Sequence, residues 1–427
     1  MTGAEGLLAS REEPPAPVRP GPADEPRPLD AVDWTSGLPI LHGSRLSLRE
    51  PCVEDAEFLF EMLATPDVGR FMNRPPNRPE AFERFIEWAR RQRRLGRNFC
   101  YGIVPDGYDR PVGLIQVRPI ESGFASAEWG FAIGQPFWGQ DVFASAARIV
   151  IDFIFRHTGA HRLEARTAIQ NGRANGALKK VGATPEGVLR ESFIVDGKPV
   201  HQVLWSMRSE EWLSNAPTPY RVEVVPADAE SLAGPGPDSL VGPSPGWCLQ
   251  MPELRTAGVR LRELVHADAE PLVRLVATPD VGRYMQAPPD TAAGFRQFIA
   301  WGHAQRAAGQ FACLGVVPDA CDHAVGIFQL HRVDQTFSIA EWGFALGRPY
   351  WGTGLFGRGA RLFLDFAFDT VGVRRLEARA AQANVRANAA LRKLGAAREG
   401  AMKRSFLLGG EYHDDYLWSL LAEDRFA

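Results

Sequence analysis

The sequence predicts an α+β fold, a mixed sheet with helices on both faces, built twice in tandem. Three observations lead to this prediction. The chain has 427 residues, enough for two or three domains, and 45% of them are hydrophobic, so each domain can bury an ordinary core. Short motifs of the first half return in the second half. Within each half, segments of strand-like alternation take turns with segments of helical spacing.

The duplication appears at a constant separation along the chain. The motif Thr-Pro-Asp-Val-Gly-Arg starts at Thr65 and again at Thr278, and Glu-Trp-Gly-Phe-Ala starts at Glu128 and again at Glu341. Both pairs are 213 positions apart, as are two Arg-Leu-Glu-Ala-Arg segments and two Leu-Trp-Ser segments further along. A period this long indicates two whole domains, because solenoid repeats are only roughly 20–50 residues long.

The composition outside the two copies sets the predicted boundaries. Residues 1–33 are rich in proline, glutamate and alanine, and we expect a disordered N-terminal segment there. Residues 34–213 are predicted to form the first domain and residues 247–427 the second. Residues 214–246 end in a run of proline and glycine with few apolar groups, which is typical of a linker.

The elements of each copy follow from the periodicity of its apolar residues. In the first copy, alternating or continuous apolar runs predict strands at 45–49, 98–104, 111–117, 127–133, 162–168 and 200–207. Helical spacing and capping residues predict helices at 51–63, 79–94, 143–157 and 174–181. The second copy repeats this order, and together the elements give the predicted mixed sheet.

Composition and charge argue against several classes of protein. A formal net charge of −3 is far from that of a dedicated nucleic-acid binder. No apolar run approaches the ~18 residues of a membrane span, and the start lacks the apolar core of a signal peptide. The five cysteines are an odd number without metal-ligand spacing, so we expect no metal and a reducing cytoplasm. The preference for arginine, alanine and glycine indicates a GC-rich, bacterial genome.

The turn Trp351-Gly-Thr-Gly-Leu-Phe-Gly has the features of a binding site for an anion. Its glycines let a ligand approach the backbone closely, and the N–H groups at the following helix start favour an anion. The segment matches the G-x-G-x-x-G dinucleotide pattern, but the first copy has lost two of the three glycines. The turn also comes late in its domain, whereas a dinucleotide fingerprint usually opens one. A dinucleotide-binding fold is therefore disfavoured.

Four motifs stand in the same order in both copies. The first motif is Arg45-Leu-Ser-Leu-Arg-Glu, quoted from the first copy. The fourth, quoted from the second copy, is Arg-Arg-Leu-Glu-Ala-Arg followed by Asn384-Val-Arg-Ala-Asn. Between them lie Ala-Glu-Trp-Gly-Phe and the Trp-Gly turn. With these motifs, nearly all of each copy resembles the GNAT superfamily of N-acetyltransferases, most closely its RimJ/RimL-like branch. The resemblance implies acetyl-CoA as cosubstrate and a primary amine as acceptor.

The resemblance also implies where acetyl-CoA binds. Backbone N–H groups of the turn would cradle the pyrophosphate, the pantetheine arm would run beside the preceding strand, and an asparagine would hydrogen-bond that arm. The implied cofactor-binding residues are Phe344, Leu346, Trp351, Gly352, Thr353, Gly354, Leu355, Phe356 and Asn384. In the first copy Asp141 replaces Gly354, and its carboxylate would repel a phosphate by ~1 kcal/mol or more. We therefore expect the first domain to be degenerate and the second to be active.

Acetyl transfer to an amine needs a general base, because an ordinary amine is mostly ammonium at pH 7. The resemblance implies catalytic carboxylates on two neighbouring strands. One is Glu341, with Glu128 as its counterpart, and the other is Glu377, with Glu164 as its counterpart. An alternative interpretation of Glu164 and Glu377 is that they only pair with neighbouring arginines on a solvated face.

The general acid is not indicated, since alanine and leucine stand where relatives carry serine and tyrosine. Tyr412, Tyr416 and Ser405 are possible substitutes by position. Two functions fit the sequence. One is an acetyl-CoA-dependent N-acetyltransferase for a protein or peptide N-terminus or a small-molecule amine, built as an intramolecular pseudo-dimer. The other is a non-catalytic protein that binds CoA or acts as a scaffold.

Overall fold

The computed structural model describes residues 32–72, 78–120, 124–215, 218–225, 246–334, 336–408 and 411–426. The chain divides into two compact units, called domain 1 and domain 2, with the boundary along the sequence after residue 238. The N-terminal segment expected to be disordered lies almost entirely outside the described residues. So do residues 226–245 of the expected linker.

The described part of domain 1 contains nine strands and six α-helices. The strands are β1 (Ile40–His42), β2 (Leu46–Arg49), β3 (Phe99–Pro105), β4 (Gly113–Pro119), β5 (Ser126–Ile133), β6 (Arg162–Ala168), β7 (Thr184–Val195), β8 (Lys198–Arg208) and β9 (Arg221–Glu223). The helices are α1 (Ala56–Leu63), α2 (Pro66–Gly69), α3 (Pro79–Arg94), α4 (Val142–His157), α5 (Gly172–Lys180) and α6 (Ser209–Leu213).

Domain 2 repeats most of this series within its described residues. Its strands are β10 (Leu254–Thr256), β11 (Val259–Glu263), β12 (Phe311–Pro318), β13 (Gly326–Arg332), β14 (Ile339–Leu346), β15 (Arg375–Ala381), β16 (Ala397–Leu408) and β17 (Glu411–Leu421). Its helices are α7 (Gly246–Leu249), α8 (Ala269–Leu275), α9 (Pro279–Gly282), α10 (Ala292–Ala307), α11 (Leu355–Asp365) and α12 (Val385–Lys393). A π-helical turn, Phe366–Val371, extends α11.

Apart from the edge strand β9, the described sheets of the two domains have the same topology. The strand order is β9-β1-β2-β3-β4-β5-β6-β8-β7 in domain 1. It is β10-β11-β12-β13-β14-β15-β17-β16 in domain 2. The parallel neighbours are β5 with β6 and β14 with β15, and each of these pairs is joined through a long helix, α4 or α11. A parallel pair needs such a crossover.

Helices cover both faces of each sheet, as predicted. In domain 1, Phe153 of α4 packs edge-on against Phe99 and Tyr101 of β3, with ring centroids 6.1 and 5.8 Å apart. On the other face, Leu59 of α1 and Phe82 of α3 form a second apolar cluster against the sheet. Domain 2 has the corresponding two clusters. The α+β fold with a mixed sheet is confirmed.

Five elements of domain 1 were not predicted, namely the strands β1, β7 and β9 and the short helices α2 and α6. The long strand β7 was not expected, because register shifts between Pro185 and Gly187 and between Leu189 and Phe193 interrupt its alternation. The short strand β9 lies inside the segment expected to be linker, and its residues pair with β1 at the sheet edge. It adds a strand that holds the chain to domain 1 beyond the expected boundary at residue 213.

Candidate functional site

The two parallel strands at the centre of each sheet separate part-way along their length. In domain 2, β14 and β15 pair from Ile339 and Arg375 as far as Glu341 and Glu377, and no further. Beyond that point each strand continues for several residues without pairing to the other. Glu341 and Glu377 therefore lie side by side at the apex of a split in the sheet. Domain 1 has the same split.

The glycine turn follows the far end of β14. Trp351 begins it, and its ring is held on two sides, since its Nε1 donates to the Leu346 carbonyl oxygen at 2.7 Å and the Arg386 guanidinium lies 3.7 Å from the ring centroid. Gly352 and Gly354 have left-handed backbones, with φ of 75° and 77°. Because the turn needs positive φ twice, glycine suits both positions.

The turn presents polar hydrogens at the start of α11. The first N–H groups of a helix have no acceptor within it, although the Thr353 hydroxyl takes that of Leu355 at 3.3 Å. A Cβ on Gly354 would lie 3.0 Å from Nη1 of Arg358, so this guanidinium borders the turn. Its Nε is buried and has no acceptor among the described atoms. Free N–H groups and a nearby cation fit an anion such as the pyrophosphate of CoA.

The apolar residues assigned to the cofactor site lie between β14 and α11. The Phe344 and Phe356 rings pack 4.7 Å apart between their centroids, beside the split. Leu346 and Leu355 belong to the main core of domain 2. Phe344 and Phe356 are only partly buried, so their rings remain accessible beside β14.

Asn384 begins helix α12, and its neighbour one turn later holds that helix to the sheet. The Asn384 Oδ1 accepts from the Ala387 backbone N–H at 3.1 Å, so the side chain caps the helix. Its Nδ2 has no acceptor among the described atoms and could donate to a ligand. Asn388, which the sequence analysis did not identify, donates from Nδ2 to the Ala381 carbonyl at 2.9 Å and accepts from Trp418 Nε1 at 2.9 Å. Asn171 and Asn175 stand at the same positions in domain 1, and this recurrence was the available signal.

The corresponding turn of domain 1 contains the carboxylate of Asp141. Asp141 has a left-handed backbone, with φ of 63°, where domain 2 has Gly354. Lys180 Nζ donates to Asp141 Oδ1 at 2.5 Å, and Ser145 Oγ donates to Oδ2 at 3.2 Å. The hydrogen bond from Lys180 is the main cause that lowers the pKa of Asp141, with its charge and that of Arg148 adding to the effect. The carboxylate is therefore ionised at neutral pH, at the entrance to α4.

Glu377 is clamped inside the protein. Arg375 donates from Nε to Glu377 Oε1 at 2.9 Å and from Nη2 to Glu399 Oε2 at 2.7 Å, and the side chains of Glu377 and Arg375 are almost completely buried. Glu164 is held in the same way by Arg162. The pairing with arginine considered from the sequence is present, but on a buried face instead of a solvated one. Glu399 and Glu186 were missed, although they too stand 213 positions apart.

Glu341 and Glu128 occupy the same place in the two domains and differ in exposure. Glu128 forms a buried ion pair with Arg118, whose Nη2 donates to Oε2 at 2.8 Å, and its side chain is 7% exposed. The side chain of Glu341 is 26% exposed, and Arg379 Nε lies 4.0 Å from its Oε2. Among Glu341, Glu377, Glu128 and Glu164, Glu341 is thus the one that a ligand in the split could reach most easily.

The possible acids lie in different places. Tyr416 pairs with Ala380 on β15, whereas Ser419, three residues later, pairs with Glu377. Residues three apart on a strand point to opposite faces, so Tyr416 faces away from the two glutamates. Ser405 donates to the Met402 carbonyl at 3.3 Å, and Arg404 lies 5.3 Å from the Tyr412 ring centroid.

Comparison with known proteins decides the family. The model of the Acetyltransferase (GNAT) domain matches residues 45–184 and 259–397, more than half of the chain. The chain belongs to the GNAT acetyltransferase family. Its two matched segments fall in domain 1 and domain 2, so the tandem duplication is confirmed.

The relatives of this GNAT protein include N-acetyltransferases. The "Uncharacterized N-acetyltransferase p20" of Bacillus licheniformis is 27% identical over 175 residues, which are 41% of this chain and 98% of that protein. The ribosomal protein uS5-alanine N-acetyltransferase of Escherichia coli is 24% identical over 118 residues, 27% of this chain and 61% of that one. A solved structure of Mycobacterium smegmatis RimJ in complex with CoA-disulfide is 21% identical, covers 40% of this chain and 87% of that chain, and gives a TM-score of 0.37.

The described residues contain neither a candidate membrane span nor a candidate metal site. None of the helices there combines the length and apolar character needed to cross a membrane. In the same part of the chain, no group of three or more histidine, cysteine, aspartate or glutamate side chains could hold a metal ion.

Proposed function

We propose that domain 2 transfers the acetyl group of acetyl-CoA to a primary amine, with Glu341 as the general base. The observation that carries this proposal is the position of Glu341 at the apex of the split, partly exposed and followed at the other end of its strand by the glycine turn. A donor and an acceptor can meet there. Acetyl-CoA supplies the acyl group as a thioester.

The reaction needs one proton to leave the acceptor before attack. A carboxylate at the split accepts a proton from the ammonium, and the neutral nitrogen then attacks the carbonyl carbon of the thioester. The carbon–sulfur bond breaks and CoA leaves as a thiolate, which takes up the second proton that the nitrogen loses as the amide forms. The leaving group needs little help because thiols have a pKa of about 8.5. Glu377 is a poorer candidate for the base, since its carboxylate is buried and held by Arg375.

Binding of acetyl-CoA in domain 2 is supported by the shape and polarity of the turn. A side chain at Gly352 would meet no atom within 4 Å, so the space above the backbone is open. The N–H groups of the turn would hold the pyrophosphate, and Arg358 would add a positive charge beside it. Domain 1 is proposed to bind acetyl-CoA weakly or not at all, because Asp141 places a negative charge at the same point.

The acceptor is proposed to be an α-amino group of a protein or peptide, or a small-molecule amine. One relative acts on an alanine of ribosomal protein uS5, which supports the first class. Release of free thiol from acetyl-CoA, measured against peptides with different N-terminal residues, polyamines and aminoglycosides, tests the proposal. Binding of acetyl-CoA by calorimetry without thiol release for any amine would favour the non-catalytic alternative. Absence of binding would contradict both.

A further inference from the structure

A band of charged side chains crosses the sheet of each domain beside the split. We call it the charged band. In domain 1 it consists of Arg118, Glu128, Arg162, Glu164, Arg166 and Glu186, and in domain 2 of His331, Glu341, Arg375, Glu377, Arg379 and Glu399. Five of the six positions are identical in type. The exception is the first, where an arginine in domain 1 is a histidine in domain 2.

In domain 1, Arg118 and Glu128 form a buried ion pair. Arg118 lies directly opposite Glu128 on the antiparallel strands β4 and β5, and the two side chains form the 2.8 Å ion pair described above. Both are at least nine-tenths buried. An arginine is always protonated in proteins, so it stabilises the ionised glutamate and cannot accept a proton from it.

In domain 2 the same register places His331 opposite Glu341 on β13 and β14. Directly opposite residues have their Cβ atoms about 4.5–5.5 Å apart on the same face, within reach of these side chains. The imidazole packs against the Phe311 ring at 4.6 Å between centroids. A histidine changes charge near neutral pH, with an ordinary pKa of about 6.5.

The exchange also changes the charge of the band. Domain 1 has three arginines for three glutamates, and domain 2 has two arginines for three glutamates. Arg375 is held between Glu377 and Glu399, and Arg379 lies 4.0 Å from Glu341. On the side of β12, the group beside His331 is the aromatic Phe311. The band of domain 2 is therefore one positive charge short unless His331 is protonated.

We propose that His331 holds the proton that Glu341 removes from the acceptor amine. This inference rests on the function proposed above. The N–H bond of the ammonium breaks as an O–H bond forms on Glu341, and the proton then passes to the imidazole, which restores the carboxylate. His331 becomes imidazolium, and the band reaches charge balance. After CoA leaves, the proton returns to solvent. His331 does not contact the substrate. It acts through Glu341, from which it receives the proton, and is therefore a positioning residue.

Substitution of His331 by arginine tests the inference, because the fold already accepts arginine at the equivalent position of domain 1. With an amine that the wild-type protein acetylates, we expect kcat of H331R to be lower than that of wild type by about tenfold or more at pH 7. The KM for acetyl-CoA should stay the same. The deficit should shrink toward pH 9, where more of the amine is already neutral. The matched variant R118H should leave turnover unchanged. An H331R enzyme within twofold of wild type from pH 6 to 9 would overturn the inference.

A second measurement does not depend on turnover. Histidine resonances followed by NMR during a pH titration of the full chain give the pKa of His331, whose signal is the one missing in H331Q. Because a carboxylate stabilises the imidazolium, E341Q should lower that pKa by about one unit. If E341Q leaves it unmoved, the two groups are not linked and the inference is wrong. If it falls in a protein that turns over no amine, the proposed function fails while the linked pair stands.

Discussion

Asp141 and Gly354 hold equivalent positions, and both have left-handed backbones. Introducing aspartate in domain 2, G354D, combines two costs, a repulsion of ~1 kcal/mol per nearby charge and a strain of ~1 kcal/mol for a non-glycine residue at positive φ. We expect acetyl-CoA affinity at domain 2 to fall roughly thirtyfold or more, since about 1.4 kcal/mol is tenfold. Isothermal calorimetry measures this. G354A carries only the strain and should fall less, and equal losses for both variants would contradict the electrostatic argument.

The reverse substitution belongs to domain 1. D141G removes the carboxylate that Lys180 and Ser145 now hold, and leaves Lys180 beside an open turn. We expect a measurable second binding event for acetyl-CoA in calorimetry of the full chain. D141N keeps the size and tolerates the left-handed backbone, so it shows how much of the gain comes from charge alone. Two sites of equal affinity in the wild-type protein would show that Asp141 does not weaken binding.

Glu341 is tested by removal of its charge alone. E341Q keeps the size of the side chain, and we expect it to lower kcat by ~10²-fold or more, the usual scale for a general base. Acetyl-CoA affinity should hardly change, because the carboxylate acts on the amine. E128Q is the matched control and should not affect turnover. If E341Q is nearly neutral and E377Q is damaging, the base lies on β15.

At the scale of single residues, sequence reasoning found what a linear motif can show. It assigned Glu341 and Glu377 to neighbouring strands, and the 213-residue offset exposed Asp141. It missed the exchange of Arg118 for His331. The exchange matters only because these residues lie opposite Glu128 and Glu341 on the next strand. Strand register fixes which residues lie opposite each other, and a single sequence does not reveal the register. Asn388 was missed for the same reason, since its partners come from β15 and β17.

A loop and a helix start in domain 2 are held together by Asp268. It accepts from Arg262 at 2.7 and 2.9 Å and from the backbone N–H groups of Val265 and Ala324 at 2.8 Å. Burial opposes ionisation, but the hydrogen bonds from Arg262 and the two backbone groups outweigh it and lower the pKa of Asp268. This carboxylate therefore stabilises the folded state when it is ionised.

Substitution by asparagine measures that contribution. D268N should lower the free energy of unfolding of domain 2 by about 2 kcal/mol at pH 7, since hydrogen bonds to a charged group contribute ~1.5–3 kcal/mol. The lowered pKa means that the contribution is complete above the ordinary pKa of 3.8 and is lost as pH falls through the lower value of the folded state. Urea unfolding at pH 7 and near pH 3 tests this. A deficit that stays constant with pH would show that charge is not its cause. D55N changes the equivalent residue of domain 1 and serves as the comparison.

Among the elements, the long helices were predicted more accurately than the strands that contain bulges. The helix Pro79–Arg94 has the bounds that its apolar spacing indicated, because a long amphipathic helix states its period many times. Strands β7 and β16 were missed because bulges break their alternation and polar residues fill much of their length. The edge strand β9 is only three residues long, too short for any period to show.

The two domains are proposed to support each other as a fused pseudo-dimer. If they do, residues 247–427 expressed alone should be less stable or less active than in the full chain, and residues 34–223 added in trans should restore the loss. The second fragment ends at residue 223 so that β9 can pair with β1. Thermal unfolding and acetyl-CoA turnover of the fragment test this. A fragment that is monodisperse, equally stable and fully active would show that the domains are independent.

The tryptophan that begins each glycine turn gives every domain its own optical reporter. Trp351 lies under Arg386, and Trp138 lies under Arg173 at 3.6 Å from the ring centroid to the guanidinium. A ligand at the turn would change the field and the solvent around the indole, and thus the wavelength and intensity of its emission. We expect acetyl-CoA to change the fluorescence of the wild-type protein and of W138F, but much less that of W351F. If W138F and W351F lose the signal equally, both turns receive the ligand.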